Sequence, residues 1–379
     1  MWSRICNIRK QGKVVFIDVI KQGVLQECKI SADGTKEFEK YNKEIYRGLL
    51  VNITQFTESV SRTGSTLYLI LEMEYPVESS FFPHNYPKSK VKDKEILYKN
   101  RCLSMITNPD LFLKMKSRVE IIQNIKKFFR SLGAVEIDLP VLESSYGGAF
   151  AKPMYTHINA ITKDYFLRTS FEFPLKRLII GGFSNVFAMG SAFRNEGLDK
   201  THTPEYLHLE YYTTTTKYRQ VQKLVDKIYA ECYYNVHGHY DYWGFDLKKD
   251  WPVYTKEMVL ELLSEHRLTQ VDDLIDLKVL GPCFHIEAIK DENPLGIFPF
   301  VFDSYVDYTM EIVTAYQEEN DPTKLSQKGR LSEILDATFQ KDLTYGMPPT
   351  VGLGLGIDRL VKSILNVESI RDSQIYPLL

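Results

Sequence analysis

At Asn108-Pro109 the hydrophobic pattern of this chain changes period, and that change governs what the two sides can fold into. Upstream, VVFIDVI (14–20), LLVNITQF (49–56) and STLYLILEMEY (65–75) are rich in β-branched and aromatic residues, with Gly, Asn, Asp and Ser between them. Such runs read as short strands, and several of them in residues 1–80 suit a small closed barrel. Downstream, LFLKMKSRVEIIQNIKKFFRSLG (111–133) repeats apolar residues at helical spacing and stops at Gly133, a suitable C-terminal cap. Between the two regimes SSFFPHNYPKSKVKDKE (79–95) combines prolines, serines and charge, the composition of a linker. The chain therefore divides into 1–80, a linker over 81–110, and a larger domain over 111–379.

The larger domain mixes its elements. AVEIDLPVLE (134–143) reads as a strand ending near Pro140, and 165–190 and 205–216 mix strands with short helices. Residues 217–235 and 255–266 read as helices, and TVGLGLGI (350–357) is a strand running directly into the helix DRLVKSILN. The regular βαβ alternation of a doubly wound sheet is missing, so the expected class is α+β with an antiparallel sheet. With 379 residues, 44% of them hydrophobic, the chain has material for a large core and a second module.

Charge and cysteine usage narrow the function classes. A net charge of -2 from 47 basic and 49 acidic residues argues against a uniformly basic coat, yet leaves room for a local basic face toward nucleic acid. The five cysteines (Cys6, Cys28, Cys102, Cys232, Cys283) are scattered without a C-x-x-C pair. That spacing argues against structural zinc and a disulfide framework, and for a reducing cytoplasmic setting. The opening MWSRICNIRKQGKVVF lacks a signal-peptide core, and no run approaches the roughly 18 apolar residues of a membrane span.

Three constellations carry chemistry: FAMGSAFRNEGLDKTHTPEYLHLEYY (187–212), GLGLGIDRL (352–360) and the carboxylate-dense MEIVTAYQEEND (310–321). Each also has a plain structural reading. Arg194 and Glu196 suit a surface ion pair on a hairpin. The glycines suit close helix packing, and they are neither a G-x-G-x-x-G nor a G-x-x-x-x-G-K-[ST] loop. Carboxylate runs are usually solvated faces.

Together, and in this order, the constellations resemble the three signature motifs of class II aminoacyl-tRNA synthetases. The helix and strand over 117–142 resemble motif 1, FRNEG (193–197) with THTPEY (201–206) resembles motif 2, and GLGLGIDRL resembles motif 3. Within that class GGAFAKPMYTH (147–157), LRTSFEFPLKRLIIGGF (167–183), FRNEGLDKTHTPE (193–205), TAYQEENDP (314–322) and YGMPPTVGLGLGIDR (345–359) are similar to the lysyl branch of subclass IIb, in a compact form. The resemblance covers nearly the whole chain. It implies an N-terminal OB-fold anticodon-binding barrel followed by a catalytic domain whose antiparallel sheet is flanked by helices. It also implies a homodimer built on motif 1, and ATP-dependent ligation of lysine to tRNA(Lys).

The same resemblance implies roles. Arg194 would hold the ATP α-phosphate and the lysine carboxylate, Glu196 the adenine amino group, and His202 the terminal phosphates. Tyr206 and Arg359 would sandwich adenine, while Gly354 and Gly356 let backbone approach the ligand. Glu172 with Gly148 would belong to the α-amino side, and Glu210 and Glu318 with Tyr212 would hold the ε-ammonium. Tyr316 fills an aromatic position, and Thr314 stands where the family commonly has asparagine. Magnesium is implied by the phosphate chemistry. Glu311 matches one carboxylate ligand, but its usual partner seven residues earlier is Ser304 here, so Asp303 or Asp307 would substitute if the strand carries a bulge.

In the barrel, Arg9, Phe16 and Gln26 match positions that read the central uridine, with Phe16 as stacking platform. A core role for Phe16 stands beside that reading. The glutamate of the family's T-G-E-L turn is absent from TGST (63–66), which implies looser anticodon discrimination. The N-terminal extension and the insertion between motifs 2 and 3 look trimmed, which implies fewer tRNA contacts. A paralogue that transfers an amino acid to a translation factor is the alternative.

Overall fold

A computed structural model describes residues 2–61, 64–75, 93–145, 147–149, 151–267, 284–287, 296–306, 310–327 and 337–378. The chain divides into two compact units, Met1–Ser117 with Ile375–Pro377, and Arg118–Gln374.

The first unit begins with β1 (Trp2–Gln11), β2 (Val14–Lys21), β3 (Val24–Ser31), α1 (Phe38–Glu44), β4 (Leu50–Val60) and β5 (Thr66–Glu74). The strands close into a barrel in the order β1-β2-β3-β5-β4, the small closed barrel that the strand pattern predicts and that the resemblance identifies with an OB-fold. Alternation explains the closure: Val15, Ile17 and Val19 of β2 point inward with Ile5, Cys28, Ile30, Val51 and Ile70. Helix α1 plugs the barrel with Phe38 and Tyr41, and the Tyr41 hydroxyl donates to the Met73 carbonyl at 2.8 Å. Within the span read as a linker, residues 76–92 lie outside the described residues. From Asp93 onward the chain forms α2 (Lys94–Lys99) and α3 (Arg101–Thr107). The Asp93 carboxylate caps α2 by accepting from the Glu95 and Ile96 amides.

The long helix α4 (Pro109–Ser131) carries the unit boundary. Then come β6 (Val135–Glu136), β7 (Leu142–Glu143), β8 (Met154–Ile158), β9 (Lys163–Leu167), α5 (Glu172–Ile180), β10 (Asn185–Phe193), β11 (Glu205–Thr214) and α6 (Tyr218–His237). A small hairpin of β12 (Asp241–Tyr242) and β13 (Phe245–Asp246) precedes β14 (Val253–Thr255), α7 (Lys256–Glu265), β15 (Phe284–Glu287), β16 (Gly296–Val306) and β17 (Met310–Glu318). The strand β18 (Thr350–Gly356) leads without a loop into the helix Ile357–Ile364.

Eight strands form the main sheet in the order β14-β15-β16-β17-β18-β11-β10-β6. It is antiparallel as expected, except where the short edge strands β14 and β6 pair in parallel. One face packs on α4, α6 and the helix Ile357–Ile364. There Ile121, Ile125 and Phe129 meet Leu209, Tyr211, Leu353 and Leu355. Each such fully buried apolar side chain contributes about 1.5–3 kcal/mol. Helix α5 packs elsewhere, with Phe173, Leu175 and Ile179 in a second cluster that includes Val186, Ala188, Tyr212 and Tyr316.

The expected strand 134–143 does not form as one piece. Only Val135–Glu136 joins the main sheet, and Leu142–Glu143 pairs in a separate three-stranded sheet. Pro140 has no amide to donate, and the Leu139 and Pro140 carbonyls instead accept from Arg168 Nη1 at 2.7 and 3.2 Å.

Candidate active site

Strand pleating builds the site. β18 lies between β11 and β17, and their register aligns Glu210, Gly354 and Thr314 in one row and Tyr212, Gly352 and Tyr316 in the next, with His208 opposite Gly356. Successive side chains alternate between faces. Leu209, Tyr211, Val313, Ala315, Leu353 and Leu355 therefore enter the helix-covered core, while the intervening residues face a cavity of about 410 Å³. The central strand gives this face only glycines, so its surface is bare backbone. At Gly352 the vacancy is obligatory, because a Cβ would overlap the Glu318 carboxylate and come within 2.6 Å of Tyr212 Cε1.

The inner end of the cavity is dense in buried charge. Glu172, Lys176, Glu210 and Glu318 are 4%, 1%, 4% and 0% exposed. Lys176 Nζ donates to Glu172 Oε1 at 2.5 Å and forms a second ion pair with Glu318. Its ammonium also lies 5.9 and 6.0 Å from the ring centroids of Tyr212 and Tyr316. The Tyr316 hydroxyl donates to Glu172 Oε2 at 3.2 Å.

Glu210 has different partners. Its Oε1 accepts from the Ser170 hydroxyl and the Phe171 amide, both at 2.8 Å, with His208 Nε2 at 3.4 Å. Its Oε2 accepts from the Tyr212 hydroxyl at 3.1 Å. Burial by itself raises a carboxyl pKa. At Glu210 the donors led by His208 outweigh burial and bring the carboxyl below its ordinary value. At Glu318 burial wins and pushes the carboxyl well up. Lys176 is held charged, because Glu172 and Glu318 overcome the desolvation that opposes its charge.

Toward the rim the groups are more open. Arg194, just past β10, lies 5.3 Å over the Tyr206 ring, and its buried Nε has no hydrogen-bond partner among the described residues. Arg359, in the first turn after β18, donates from Nη1 to the Glu311 carbonyl at 2.9 Å and from Nη2 to His202 Nε2 at 2.8 Å. Since guanidinium has no acceptor, His202 must accept at Nε2 and carry its proton on Nδ1, which faces Asp199 at 2.9 Å. The Thr314 hydroxyl lies 2.8 Å from Asp303 Oδ1 and 3.1 Å from Glu311 Oε1. One hydroxyl proton cannot serve both carboxylates fully.

That last contact bears on the substituted position. The register of β16 against β17 shifts between Ser304 and Tyr305, as a bulge would require, and Asp303 is brought beside Glu311. Ser304 turns the other way, into a buried network in which its hydroxyl meets His285 Nδ1 at 2.8 Å and His285 Nε2 meets Asp226 at 2.7 Å. Asp307 lies outside the described residues.

Of the residues singled out from sequence, Gly148, Glu172, Arg194, Glu196, His202, Tyr206, Glu210, Tyr212, Glu311, Thr314, Tyr316, Gly354, Gly356 and Arg359 all line this one cavity. Glu318 is not among the lining residues and joins through Lys176. Glu172 shares a cation with Glu318, while Glu210 stands apart with Ser170, Phe171 and His208. Lys176 and His208 were not anticipated. Four residues after Glu172 on one helix, Lys176 was the findable one. His208 carried the i, i+2 spacing to Glu210 but no charge pattern.

In the barrel, Arg9 and Phe16 are cross-strand partners with the guanidinium 5.6 Å from the ring. Phe16 is on the strand face opposite the core residues Val15 and Ile17, so the core reading does not hold for it. Gln26 does not join them. The unbroken β2–β3 register pairs it with Val19, a core residue, and the pleat puts it on the other face. Glu27 occupies the expected place and accepts from Arg9 Nη2 at 2.5 Å.

Residues 93–379 match the family model described as tRNA synthetases class II (D, K and N). A lysine–tRNA ligase of Thermosipho africanus is 30% identical over 431 residues, spanning 99% of this chain and 85% of that protein. Lysine–tRNA ligases of Thermotoga maritima and Saccharolobus solfataricus are 29% and 28% identical, spanning 99% and 100% of this chain and 85% and 86% of theirs. With motif 2 and motif 3 facing each other across adjacent strands of an antiparallel sheet, and the match running through the whole of that domain, the chain belongs to the class II tRNA synthetases of the D, K and N group.

Proposed function

We propose that this chain is a lysine–tRNA ligase: it activates lysine with ATP to lysyl-adenylate and pyrophosphate, then esterifies the lysine to tRNA(Lys) as the acyl–phosphate bond breaks and AMP leaves. The observation that carries the reading is the convergence of Glu172, Glu210 and Glu318 at the buried inner end, with Lys176 as the buried cation of Glu172 and Glu318. Buried charge needs a partner, and a substrate with two ammonium groups supplies what this end lacks. An aspartyl or asparaginyl pocket would need donors instead.

Arg194, whose buried Nε is free of protein partners among the described residues, is assigned to the lysine carboxylate and the α-phosphate. A planar guanidinium bridges two anions through parallel hydrogen bonds. A carboxylate oxygen attacks the α-phosphorus, the bond to pyrophosphate breaks, and no covalent enzyme intermediate is needed. The protein contributes alignment and neutralisation of the charge that builds on phosphorus. Tyr206 and Arg359 offer the two faces of an adenine slot, with Glu196 toward its amino group and His202 toward the terminal phosphates. Gly354 and Gly356 keep the floor clear, and Thr314 and Gly148 border the lysine.

Asp303 and Glu311 fit a magnesium ion. They are two hard oxygen donors brought together on the Thr314 hydroxyl. Among the described residues no third ligating side chain joins them, which suits an ion that keeps waters and phosphate oxygens as its other ligands. When bound, the ion neutralises phosphate charge. Residues 1–80 would serve as the anticodon-binding domain, joined by 81–110 to the catalytic domain 111–379, with Arg9 and Phe16 presenting a stacking platform for a single-stranded base. The helix and strand over 117–142 would build a homodimer. No helix among the described residues is long and apolar enough to cross a membrane, and Cys6, Cys28, Cys102 and Cys232 are free thiols, in keeping with a cytoplasmic enzyme. Transfer to a protein acceptor is not favoured, since relatives matching along the whole chain are named for tRNA.

Pyrophosphate exchange measured with each of the twenty amino acids tests the reading. Lysine alone should support exchange; a signal with aspartate or asparagine and none with lysine would overturn it.

A further inference from the structure

Lys176 is absent from the set of lysine-binding residues that sequence motifs mark out, yet it sits among them. We propose that Lys176 is a specificity-determining positioning residue, a built-in cation that leaves its cluster with Glu172 and Glu318 one positive charge short of neutral so that the substrate's ε-ammonium completes it. The proposal rests on the lysine reading above and deepens it.

The geometry argues it as follows. Two carboxylates, Glu172 and Glu318, face one ammonium, Lys176, and all three are withdrawn from solvent. With both carboxylates ionised the trio carries a single negative charge; burial alone pushes Glu318 toward its neutral form, and a second ammonium beside it favours the ionised one. The other titratable groups packed around it are Tyr212 on β11 and Tyr316 on β17, with Glu210 beyond. Tyr316 donates to Glu172 Oε2 and Lys176 engages Glu172 Oε1, so both Glu172 oxygens are in use. Glu318 Oε1 is different: it is buried without a hydrogen-bond donor among the described residues and takes the space beside Gly352, a residue that itself lines the cavity. That oxygen is the acceptor left for a second ammonium. Glu210, held by its own donors, supplies the negative charge for the substrate's other ammonium.

Without Lys176, two buried carboxylates would lie close together, and such a pair takes up protons because both cannot stay ionised. The proton restores the single negative charge but occupies a carboxylate oxygen that would otherwise accept from the ε-ammonium, turning an acceptor into a donor, so lysine must displace it to bind. In the full-length protein, Lys176→Met should raise the KM for lysine in pyrophosphate exchange by at least about tenfold at about pH 6.5, and the KM should fall again toward about pH 8.5 as the proton is lost. The KM for ATP should not move. Discrimination against norleucine, which has methyl in place of the ε-ammonium, should weaken, and Lys176→Arg should restore a flat pH profile.

A folded Lys176→Met enzyme with unchanged lysine KM, unchanged pH profile and unchanged rejection of norleucine overturns the proposal. Should Lys176→Met fail to fold, the Lys176→Met/Glu318→Gln double variant keeps the single negative charge and removes the unpaired one. It should bind lysine more tightly than Glu318→Gln alone, which is neutral there; no advantage over Glu318→Gln also overturns the proposal. Absence of lysine-dependent exchange in the unmodified protein would instead refute the substrate reading itself, so the two failures are distinguishable.

Discussion

At the rim of the cavity His202 and Asp199 keep 54% and 57% of their side chains in solvent, whereas at its inner end Glu318 and Lys176 keep 0% and 2%. Both ends are rich in charge, but they stabilise it by different means. Water screens the rim, so a hydrogen bond there contributes little and partners can exchange when a nucleotide arrives. The inner end is withdrawn from solvent, so its charges must be paired within the folded chain or by a ligand. Chemistry between two anions suits the first arrangement; selection of one cationic side chain suits the second.

The largest effect expected is on the rim side. Arg194→Ala should lower lysine-dependent exchange by about 10²–10³-fold, the loss typical of one preorganised donor, with the thermal transition unchanged. Near-normal exchange would show that Arg194 does not face the reacting phosphate.

Glycine substitutions sharpen the contrast between the ends. Gly352→Ala drives a methyl into Glu318 and Tyr212 in the sealed region. It should cost about 1–3 kcal/mol of stability and raise the lysine KM while sparing that for ATP. At Gly356 an added Cβ would meet Arg359 at 3.7 Å, an ordinary contact, so Gly356→Ala should leave the thermal transition unchanged. Equal destabilisation by the two would break the comparison.

Phe16 lies outside the cavity altogether and serves as the control. Phe16→Ala should weaken tRNA charging by about fivefold, the lower end for loss of a base stack, and leave pyrophosphate exchange intact. A parallel fall in both would place the barrel face in the chemistry of activation.

The smallest effect is in pH dependence, and its sign separates two inner acids. Glu210 is held below the ordinary carboxylate value of about 4.3, because the donors led by His208 outweigh burial. Its stabilisation is complete above that value and is lost as pH falls through the folded pKa. Glu318 is pushed up by burial, so its contribution runs the other way: full stability at low pH, lost as pH rises through its folded pKa. Urea unfolding from about pH 3 to 6 should show Glu210→Gln flattening the acid limb; an unchanged limb would mean that Glu210 is not the acid whose donors matter.

Most of the cavity was legible in the chain because its residues lie at strand period. His208, Glu210 and Tyr212, Gly352, Gly354 and Gly356, and Thr314, Tyr316 and Glu318 each advance by two, and pleating makes each set a single face. The exchange of Ser304 for Asp303 was legible only as a condition, since a bulge changes which neighbour faces the cavity. Gln26 went astray for the same reason in reverse: without a bulge between β2 and β3, parity carries it to the face of Val19.

Sequence alone determined which residues share a face within the regular strands β11, β17 and β18, where the strand-rich region gives way to the long helix, and the acidic character of the pocket, because period and composition are local properties. Only the tertiary structure decided which acid pairs with which cation. Lys176 meets Glu172 through one turn of α5, but it meets Glu318 only because β17 and α5 come together around a glycine strand. Charges buried in a shared space interact through distance and exclusion of water, and the linear order of residues specifies neither.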